Sequence, residues 1–256
     1  MVDVLLTYKG ATVQPGQGVD ISIPVSVNGV AAFGAAPPGI EPFQAGGFTG
    51  SVAAGGSCNC AMYHFSPHLH GTHTEGVGHI TAQPVPVHKL LQETLLPATL
   101  VTVTPVAGSV EKYTPALQPQ DSVITAAALK AALAQVPRDR LAALVIRTTP
   151  NGDEKRRRDY AASPAPFLTH DAMHYIAALG VRHLVCDLPS VDRADDDGLL
   201  SCHRIFWDAP DSAKTITELA YIPDSVPDGF YILNLQVAAF DGDAAPSRPL
   251  LHKVIT

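Results

Sequence analysis

The first clear pattern in the chain is an alternation of hydrophobic and polar residues, which predicts β-strands. Residues 19–27 alternate in this way, and the turn pair Asn28-Gly29 closes the stretch. Residues 99–106 alternate β-branched with polar residues, as strands do. A further strand is predicted over residues 230–237, and the proline-rich residues 246–249 predict a turn.

The middle of the chain changes to a period typical of helices, and a continuous apolar run follows each helix. Ser122 is predicted to cap one helix, and a buried strand over residues 141–146 follows it. The same order returns when Thr169 caps a helix that ends at Gly180, ahead of a buried strand over residues 181–186. Continuous apolar strands are typical of sheets covered on both faces. The order of elements therefore predicts an α/β fold.

Two segments have no clear period. The Gly/Ala-rich residues 45–56 predict turns or a close backbone approach to something bound, with disorder as the alternative. The charged residues 153–159 are compatible with phosphate binding, but their flanking acids and the turn pair Asn151-Gly152 favour a solvated loop.

Length and composition narrow the class of protein. The 256 residues are 46% hydrophobic and 16% charged, which predicts a folded chain with a sizeable core. We expect a single domain over residues 1–256. The net charge of −7 at pH 7 offers no general attraction for nucleic acid or an anionic membrane. A small-molecule substrate is the expected partner.

The four cysteines do not form the dense framework of a small secreted domain. Residues 1–10 contain an acidic residue and only a short apolar run, which predicts neither a secretory signal nor an anchor. Apolar stretches stay well short of the roughly 20 residues that a membrane span needs. We therefore expect a cytoplasmic protein.

The segment from His68 to His79 carries the most distinctive chemistry. It holds four of the 11 histidines and one carboxylate. Imidazole and carboxylate groups are ligands for first-row metals. In an extended chain His73 and Glu75 point to the same face, so both can reach one ion. The pattern favours a metal site over the alternative, a polar or pH-sensitive surface loop.

The motif Gly71-Thr72-His73-x-Glu75-x-x-x-His79 resembles the signature of the cyclase-like metal-dependent hydrolases, which include bacterial kynurenine formamidase and isatin hydrolase. That signature runs His-x-Gly-Thr-His-x-Asp-x-Pro-x-His. The resemblance extends from about residue 20 to residue 248. It includes segments 20–24, 143–148, 180–192 and 243–248, together with His203 and Glu218.

The resemblance implies a mixed sheet or barrel-like β core flanked by helices, of the swivelling β/β/α type. It also implies ligands for one or two divalent ions, zinc or manganese: His68, His73, Glu75, His203 and Glu218. His68, His73 and Glu75 would hold the first ion. Glu75 would bridge to a second ion, which His203 and Glu218 complete. His79 would be the proton shuttle, and Glu218 would also belong to the catalytic site.

Three positions depart from the family pattern. Glu75 stands in place of aspartate, and Val77 stands in place of proline. The first histidine of the signature corresponds to Leu69, so His68 or His70 must take its role. His68 is the preferred candidate, because the turn before Gly-Thr-His absorbs an insertion more easily than a deletion.

The resemblance implies a hydrolase acting on C–N bonds other than peptide bonds, similar to an arylformamidase. Metal-activated water would cleave a small amide, a formamide, or a cyclic amide or ester. Relatives of this kind imply a homo-oligomer, a dimer or tetramer. The alternative is a non-catalytic metal-binding or scaffold protein of the same fold, which the changes at Glu75 and Val77 motivate.

Overall fold

A computed structural model describes residues 4–255. Within them the α-helices are α1 (Ala126–Ala132), α2 (His170–Ala178) and α3 (Ser201–Trp207). The strands are β1 (Leu6–Tyr8), β2 (Ala11–Val13), β3 (Val19–Asp20), β4 (Gly39–Pro42), β5 (Gln44–Ala45), β6 (Phe48–Thr49), β7 (Ala61–His64), β8 (His73–Glu75), β9 (Leu95–Val103), β10 (Val106–Ala107), β11 (Ser122–Ile124), β12 (Ala143–Thr148), β13 (Phe167–Leu168), β14 (His183–Cys186), β15 (Thr215–Glu218), β16 (Gly229–Asn234), β17 (Ala244–Pro246) and β18 (Leu250–Ile255). The predictions for the chain start and for the full span 1–256 fall partly on residues 1–3 and 256, which lie outside the described residues.

One mixed sheet dominates the described part of the chain. Its order is β1-β2-β18-β16-β9-β12-β14-β15-β8-β17, with β3 paired to β18. The central strands β9, β12, β14 and β15 run parallel, and the strands on both sides of them run antiparallel. The predicted α/β fold with a mixed sheet flanked by helices is confirmed. Every helix among residues 4–255 lacks the length and apolar character that a bilayer crossing needs.

Strand β12 shows why the central strands are continuous apolar runs. Leu144 and Ile146 share one hydrophobic cluster with Met173 of α2. Ala143 and Val145 belong to a second cluster on the opposite face. All six residues of the strand are buried, so both faces of the sheet are covered. Burial of a side chain as large as Leu144 contributes about 1.5–3 kcal/mol.

One of the two predicted helix caps is confirmed and the other is wrong. Thr169 caps α2 as predicted. Ser122, however, belongs to strand β11, and the side chain of Thr125 caps α1. The neighbours Val123 and Ile124 are fully buried and pair with β10 and β13. Strand partners from distant parts of the chain therefore outweigh the capping signal at Ser122.

The strand predicted over residues 19–27 is shorter in the structure, where only Val19–Asp20 pairs regularly. Ile21 and Ile23 are buried, as the alternation predicts. Their carbonyls accept hydrogen bonds from loops instead of strands, at 2.8 Å from Tyr221 N and 2.9 Å from Thr72 N. The segment is thus extended and serves as a link between loops.

Two predicted boundaries also shift. The strand predicted over residues 230–237 is β16, which ends at Asn234. Pro246 ends β17 and does not begin a turn. Strand β17 lies at the edge of the sheet. A proline is tolerated on an edge strand because no neighbouring strand needs a hydrogen bond from its missing N–H.

The two segments without a clear period are both structured. Residues 45–56 include the short strands β5 and β6 and a 3₁₀ turn at Val52–Ala54. The solvated loop predicted over residues 153–159 is a 3₁₀ helix at Asp153–Arg157. The prediction is wrong for Lys155, which is buried and forms an ion pair with Asp187 at 2.7 Å. The buried counter-charge of Asp187, which directly follows β14, explains why Lys155 is buried.

Candidate metal centre

The centre is built on strand β8, which lies between β15 and β17. His73 and Glu75 are its first and last residues, and both are buried. Strand β15 places Glu218 opposite His73 in register. Helix α3 adds the buried His203, whose Nε2 lies 2.9 Å from Glu75 Oε1. Because His73 and Glu75 are two residues apart on β8, their imidazole and carboxylate lie on the same face of the strand, as predicted.

Gly71 and Thr72 shape the turn before β8. Gly71 has a φ of +100°, and a Cβ at this position would lie 2.7 Å from Ile23 O, so any side chain would clash. Thr72 Oγ1 accepts a hydrogen bond from Ile23 N at 2.7 Å and donates one to Leu219 O. These contacts fix β8 relative to the end of β15, where Glu218 lies.

The structure brings His68 into the centre and leaves His70 outside it. His68 Nδ1 lies 2.9 Å from Glu75 Oε2, and His68 Nε2 lies 2.9 Å from Asp243 Oδ2. The ring of His70 is held elsewhere, by the backbone N–H of Ser66 and by a carbonyl in the loop before β4. Of the two candidates for the first ligand, the geometry favours His68.

His79 lies beside His68 at the solvent edge of the centre. The two rings stack with centroids 4.3 Å apart. His79 Nδ1 lies 3.2 Å from Asp243 Oδ2, and its Nε2 lies 3.9 Å from Glu75 Oε2. Its side chain is 27% exposed. His79 and His68, which is 23% exposed, are therefore the imidazoles of the centre that an incoming molecule can reach.

Each of the four imidazoles has one ring nitrogen held from outside and the other turned inward. His73 Nδ1 donates to Gly71 O at 3.1 Å, and His203 Nδ1 donates to Asp192 Oδ2 at 2.7 Å. Asp243 holds the remaining two rings. Metal-binding histidines use their second nitrogen in this way, because the outer hydrogen bond fixes the tautomer and the ring orientation.

Two buried atoms that face the centre are unpaired. Among the described residues, His73 Nε2 and Glu75 Oε2 have no hydrogen-bond partner. His68 Nδ1 lies near that oxygen without meeting hydrogen-bond geometry. A buried polar atom without a partner costs about 1–3 kcal/mol, so a ligand that satisfies both atoms is favoured.

The donor atoms form two overlapping sets. His68, Glu75 and His79 make one set, and His73, Glu75 and Glu218 make the other, with the donor atoms of each set within 4.8 Å of one another. Mixed imidazole and carboxylate donors at this spacing suit zinc, manganese or another first-row ion. The residues therefore fit a divalent cation.

This grouping differs in part from the one that the resemblance implies. Glu75 is the shared carboxylate in both. The structure places His79 beside His68, and it pairs His73 with Glu218. His203 touches both carboxylates, at 2.9 Å from Glu75 Oε1 and 3.7 Å from Glu218 Oε1. All five predicted ligands and His79 thus lie in one cluster.

Negative charge dominates the electrostatics of the cluster. Burial by itself would lower the pKa of His68, but Asp243 and Glu75 raise it to about 10. Burial likewise opposes protonation of His203, whose pKa Glu75 and Asp192 raise well above its ordinary value. Despite its own burial, the pKa of Glu75 is held well below the usual range, chiefly by His203. Positive charge is stabilised at this point, whether carried by imidazolium or by a metal ion.

Asp192 holds the His203 ring of the centre, and the sequence assigned it no role. It accepts hydrogen bonds from the backbone N–H groups of Cys202 at 2.8 Å and His203 at 3.1 Å. These N–H groups lie at the start of α3, where Leu200 provides no side-chain cap. Asp192 therefore positions the helix and the His203 ring together. Its place in a segment that resembles the family is the signal by which it could have been found.

The fold and site together define a class of protein, an α/β protein with a mixed sheet that carries a buried His/Glu cluster fit for a divalent cation. The sequence model of the Cyclase family, described as "Putative cyclase", matches residues 19–193. The chain belongs to this family, which confirms the resemblance.

Individual relatives are distant. Kynurenine formamidase of Bacillus cytotoxicus is 28% identical over 110 residues, which cover 43% of this chain and 48% of that protein. The chain spans about half the length of the curated relatives it matches. An isatin hydrolase bound to the product analogue thioisatinate has a TM-score of 0.66 at 14% identity, covering 93% of each chain. Isatin hydrolase A from Ralstonia solanacearum has a TM-score of 0.64 at 16% identity, covering 92% of this chain and 91% of that one. These structures share the fold.

Proposed function

We propose that this chain is a metal-dependent hydrolase that cleaves a C–N bond of a small amide, formamide or cyclic amide, or the corresponding ester, as an arylformamidase does. The observation that carries the proposal is the convergence of two donor sets on the shared carboxylate of Glu75. Membership of the Cyclase family supports it, and so do similar proteins named kynurenine formamidase and isatin hydrolase.

The ion would be zinc or manganese, with one or two per chain. The residues that would hold it are His68, His73, Glu75, His203 and Glu218. When bound, such an ion lowers the pKa of a coordinated water to about 7 and polarises a carbonyl group. The hydrogen bonds of Asp192 and Gly71 keep His203 and His73 turned toward it.

His79 would move the proton. Hydrolysis joins the oxygen of water to the carbonyl carbon, breaks the C–N bond and leaves a proton to be placed on the departing nitrogen. His79 belongs to one donor set, but its Nε2 lies further from Glu75 Oε2, at 3.9 Å, than His68 Nδ1 does, at 2.9 Å. With Nδ1 held by Asp243, Nε2 would take the proton from water and return it to that nitrogen. The partial exposure of His79 gives a substrate access to this atom.

We also propose that the protein is cytoplasmic, forms a dimer or tetramer of identical chains, and acts without a nucleic-acid or membrane partner. The four cysteines, Cys58, Cys60, Cys186 and Cys202, are free thiols, which supports a reducing compartment. Size-exclusion chromatography with light scattering tests the oligomeric state, and a monomer would contradict it.

Elemental analysis of protein purified without added metal, followed by assays of the zinc- or manganese-loaded protein, tests the function. Suitable substrates are N-formyl aromatic amines, isatin and simple lactones. We expect stoichiometric metal and metal-dependent turnover, both lost in His73→Ala and both retained in His174→Ala, which changes an exposed histidine of α2.

Three outcomes would contradict parts of the proposal. Full metal content in His73→Ala would exclude His73 as a ligand. Undiminished turnover in His79→Ala would exclude it as the proton shuttle. Stoichiometric metal without turnover on any of these substrates would favour the non-catalytic alternative.

A further inference from the structure

A single carboxylate oxygen connects the two histidines at the solvent edge of the centre. Asp243 Oδ2 accepts from His68 Nε2 at 2.9 Å and from His79 Nδ1 at 3.2 Å. A neutral imidazole carries only one ring proton. When both rings are neutral, as a ring that ligates a cation must be, both hydrogen bonds can form only if His68 turns an unprotonated Nδ1, and His79 an unprotonated Nε2, toward Glu75. One side chain thus selects opposite tautomers in two adjacent rings.

The backbone around Asp243 holds it in this place. Asp243 immediately precedes β17, the strand that pairs with β8. Its carbonyl accepts a hydrogen bond from Gly76 N at 3.0 Å. A Cβ on Gly78 would lie 3.1 Å from Asp243 Cβ and 2.7 Å from Val85 O, so a side chain there would force the loop to move. The contact between Asp243 and the two rings is therefore built into the fold.

The two stacked rings are each oriented by their hydrogen bond to Asp243. The ring planes of His68 and His79 are inclined by 29° at a centroid separation of 4.3 Å. Turning either ring over would bring its carbon edge to Asp243 and would break one of the two hydrogen bonds. The side chain of Asp243 is 39% exposed, so it can be replaced without opening the core.

We propose that Asp243 is a positioning residue that orders His68 and His79 as a pair, with Nδ1 of His68 turned in as a metal ligand and Nε2 of His79 turned in as the proton carrier. This inference rests on the proposed function, because it assigns the two rings the roles given to them there. Asp243 itself touches neither the ion nor the substrate in this arrangement.

Zinc affinity is the first test. Zn²⁺ binding is measured by competition with a chromophoric chelator for the wild type, Asp243→Ala and Asp243→Asn. We expect about 10- to 100-fold weaker binding in Asp243→Ala, the usual effect of removing the outer partner of a ligating histidine. Asp243→Asn keeps the shape of the side chain without its charge, so its Zn²⁺ affinity should lie between those of the wild type and Asp243→Ala. Asp241→Asn, an exposed position on the same loop, is the matched control and should bind as the wild type does.

The tautomers provide a second readout that a merely structural role would not move. In ¹⁵N-histidine-labelled, zinc-loaded protein, ring ¹⁵N–¹H correlations should show the proton of His68 on Nε2 and that of His79 on Nδ1. Asp243→Ala should lose the preference at His79, which no ion holds in this arrangement. The bound zinc keeps the proton of His68 on Nε2 in either case, and the tautomer of His203, which Asp192 holds, stays the same.

The outcomes separate the two proposals. If Asp243→Ala binds Zn²⁺ as tightly as the wild type, or keeps the tautomer of His79, the positioning role is overturned and the proposed hydrolase stands. If the wild type binds no Zn²⁺ or Mn²⁺, the proposed function fails and the inference fails with it.

Discussion

Two buried polar clusters lie at the ends of neighbouring strands in this protein, and they are organised in opposite ways. The Lys155 cluster consists of Thr148, Asn151, Lys155 and Asp187. Lys155 Nζ donates to Thr148 O, Thr148 Oγ1, Asn151 Oδ1 and Asp187 Oδ2 at 2.7–3.3 Å. Asp187 also accepts from Thr148 N at 2.8 Å. Every donor of the ammonium group is satisfied within the cluster.

The central cluster consists of His68, His73, Glu75, His79, His203 and Glu218. Its outer atoms are hydrogen-bonded, but His73 Nε2 and Glu75 Oε2 point inward without a partner. The Lys155 cluster is chemically closed and its role is to join β12 to the loop after β14. The central cluster is open toward its middle, which is the arrangement that a bound ion requires.

The pKa values of the buried carboxylates Asp187 and Glu75 are shifted in opposite directions, because the two clusters supply different numbers of cationic or proton-donating neighbours. Burial raises the pKa of Asp187, and the ion pair with Lys155 only partly offsets this effect. Glu75 is equally buried, yet the charges of His203 and His79 and the nearby His68 hold its pKa well below the usual range. Burial alone therefore does not distinguish a structural carboxylate from a candidate ligand. The number of cationic or proton-donating neighbours around the carboxylate distinguishes the two.

The largest effect is expected from Glu75→Gln, which removes the carboxylate common to both donor sets. We expect Zn²⁺ content to fall to background and turnover to fall by about a thousandfold or more, equivalent to about 4 kcal/mol. The loss of unfolding free energy should stay below about 2 kcal/mol, because the neighbouring imidazoles can release their protons. Elemental analysis, steady-state assays and urea unfolding measure the three quantities. Unchanged metal content would exclude Glu75 as the carboxylate that both donor sets share.

Asp187→Asn should mainly reduce the stability of the protein, whereas Glu75→Gln should mainly reduce metal binding and turnover. The buried ammonium of Lys155 would lose its counter-charge, which is expected to lower the free energy of unfolding by about 3–5 kcal/mol. Asp153→Asn, in an exposed ion pair with Arg156, is the control and should cost at most about 1 kcal/mol. Urea unfolding measures both variants. Equal losses in the two would mean that Lys155 reaches water or sheds its charge.

His183 sharpens the comparison because it is a buried imidazole that hydrogen-bonds to a hydroxyl group, Thr215 Oγ1, at 2.9 Å. Burial lowers its pKa to about 4, whereas the pKa of His68 rises. Since the unfolded state binds the proton more readily, the stabilisation is complete above pH 6.5 and is lost as the pH falls toward 4. Relative to His183→Gln, the wild type should lose up to about 3 kcal/mol over this window. Urea unfolding at pH 7.5, 6 and 4.5 measures the difference, and parallel pH profiles would contradict it.

The smallest effect is expected from Tyr113→Phe. Tyr113 Oη donates to Asp192 Oδ1 at 2.9 Å and accepts from Arg193 N at 2.8 Å. Its loss should cost about 1–2 kcal/mol of stability. Zn²⁺ affinity should change less than about threefold, because Asp192 Oδ2 still holds the His203 ring. Thermal unfolding and chelator competition measure these effects, with the exposed Tyr63→Phe as control. A tenfold loss of affinity would place Tyr113 among the residues that orient the ligands.

The predictions that hold are those that depend on neighbours in the sequence. The helical period after Thr169 and the apolar runs of β12 and β14 specify burial whatever the partner is. The predictions for Ser122 and Lys155 fail, and both concern polar residues whose state is set by strands or charges further along the chain. Local chemistry offers each of them a reasonable alternative, and tertiary contacts override it.

The same division applies to the candidate site. The sequence by itself determined that His73 and Glu75 share a face, because two residues are the repeat of a strand. The resemblance to a family supplied His203 and Glu218, which no local pattern marks. Only the tertiary structure decided that His68 enters the cluster while His70 leaves it, and that Asp192 and Asp243 set the ring orientations. The physical reason is that the rings of His68 and His79 are oriented by Asp243, 175 and 164 residues further along the chain, and the pairing of β17 with β8 decides where Asp243 lies.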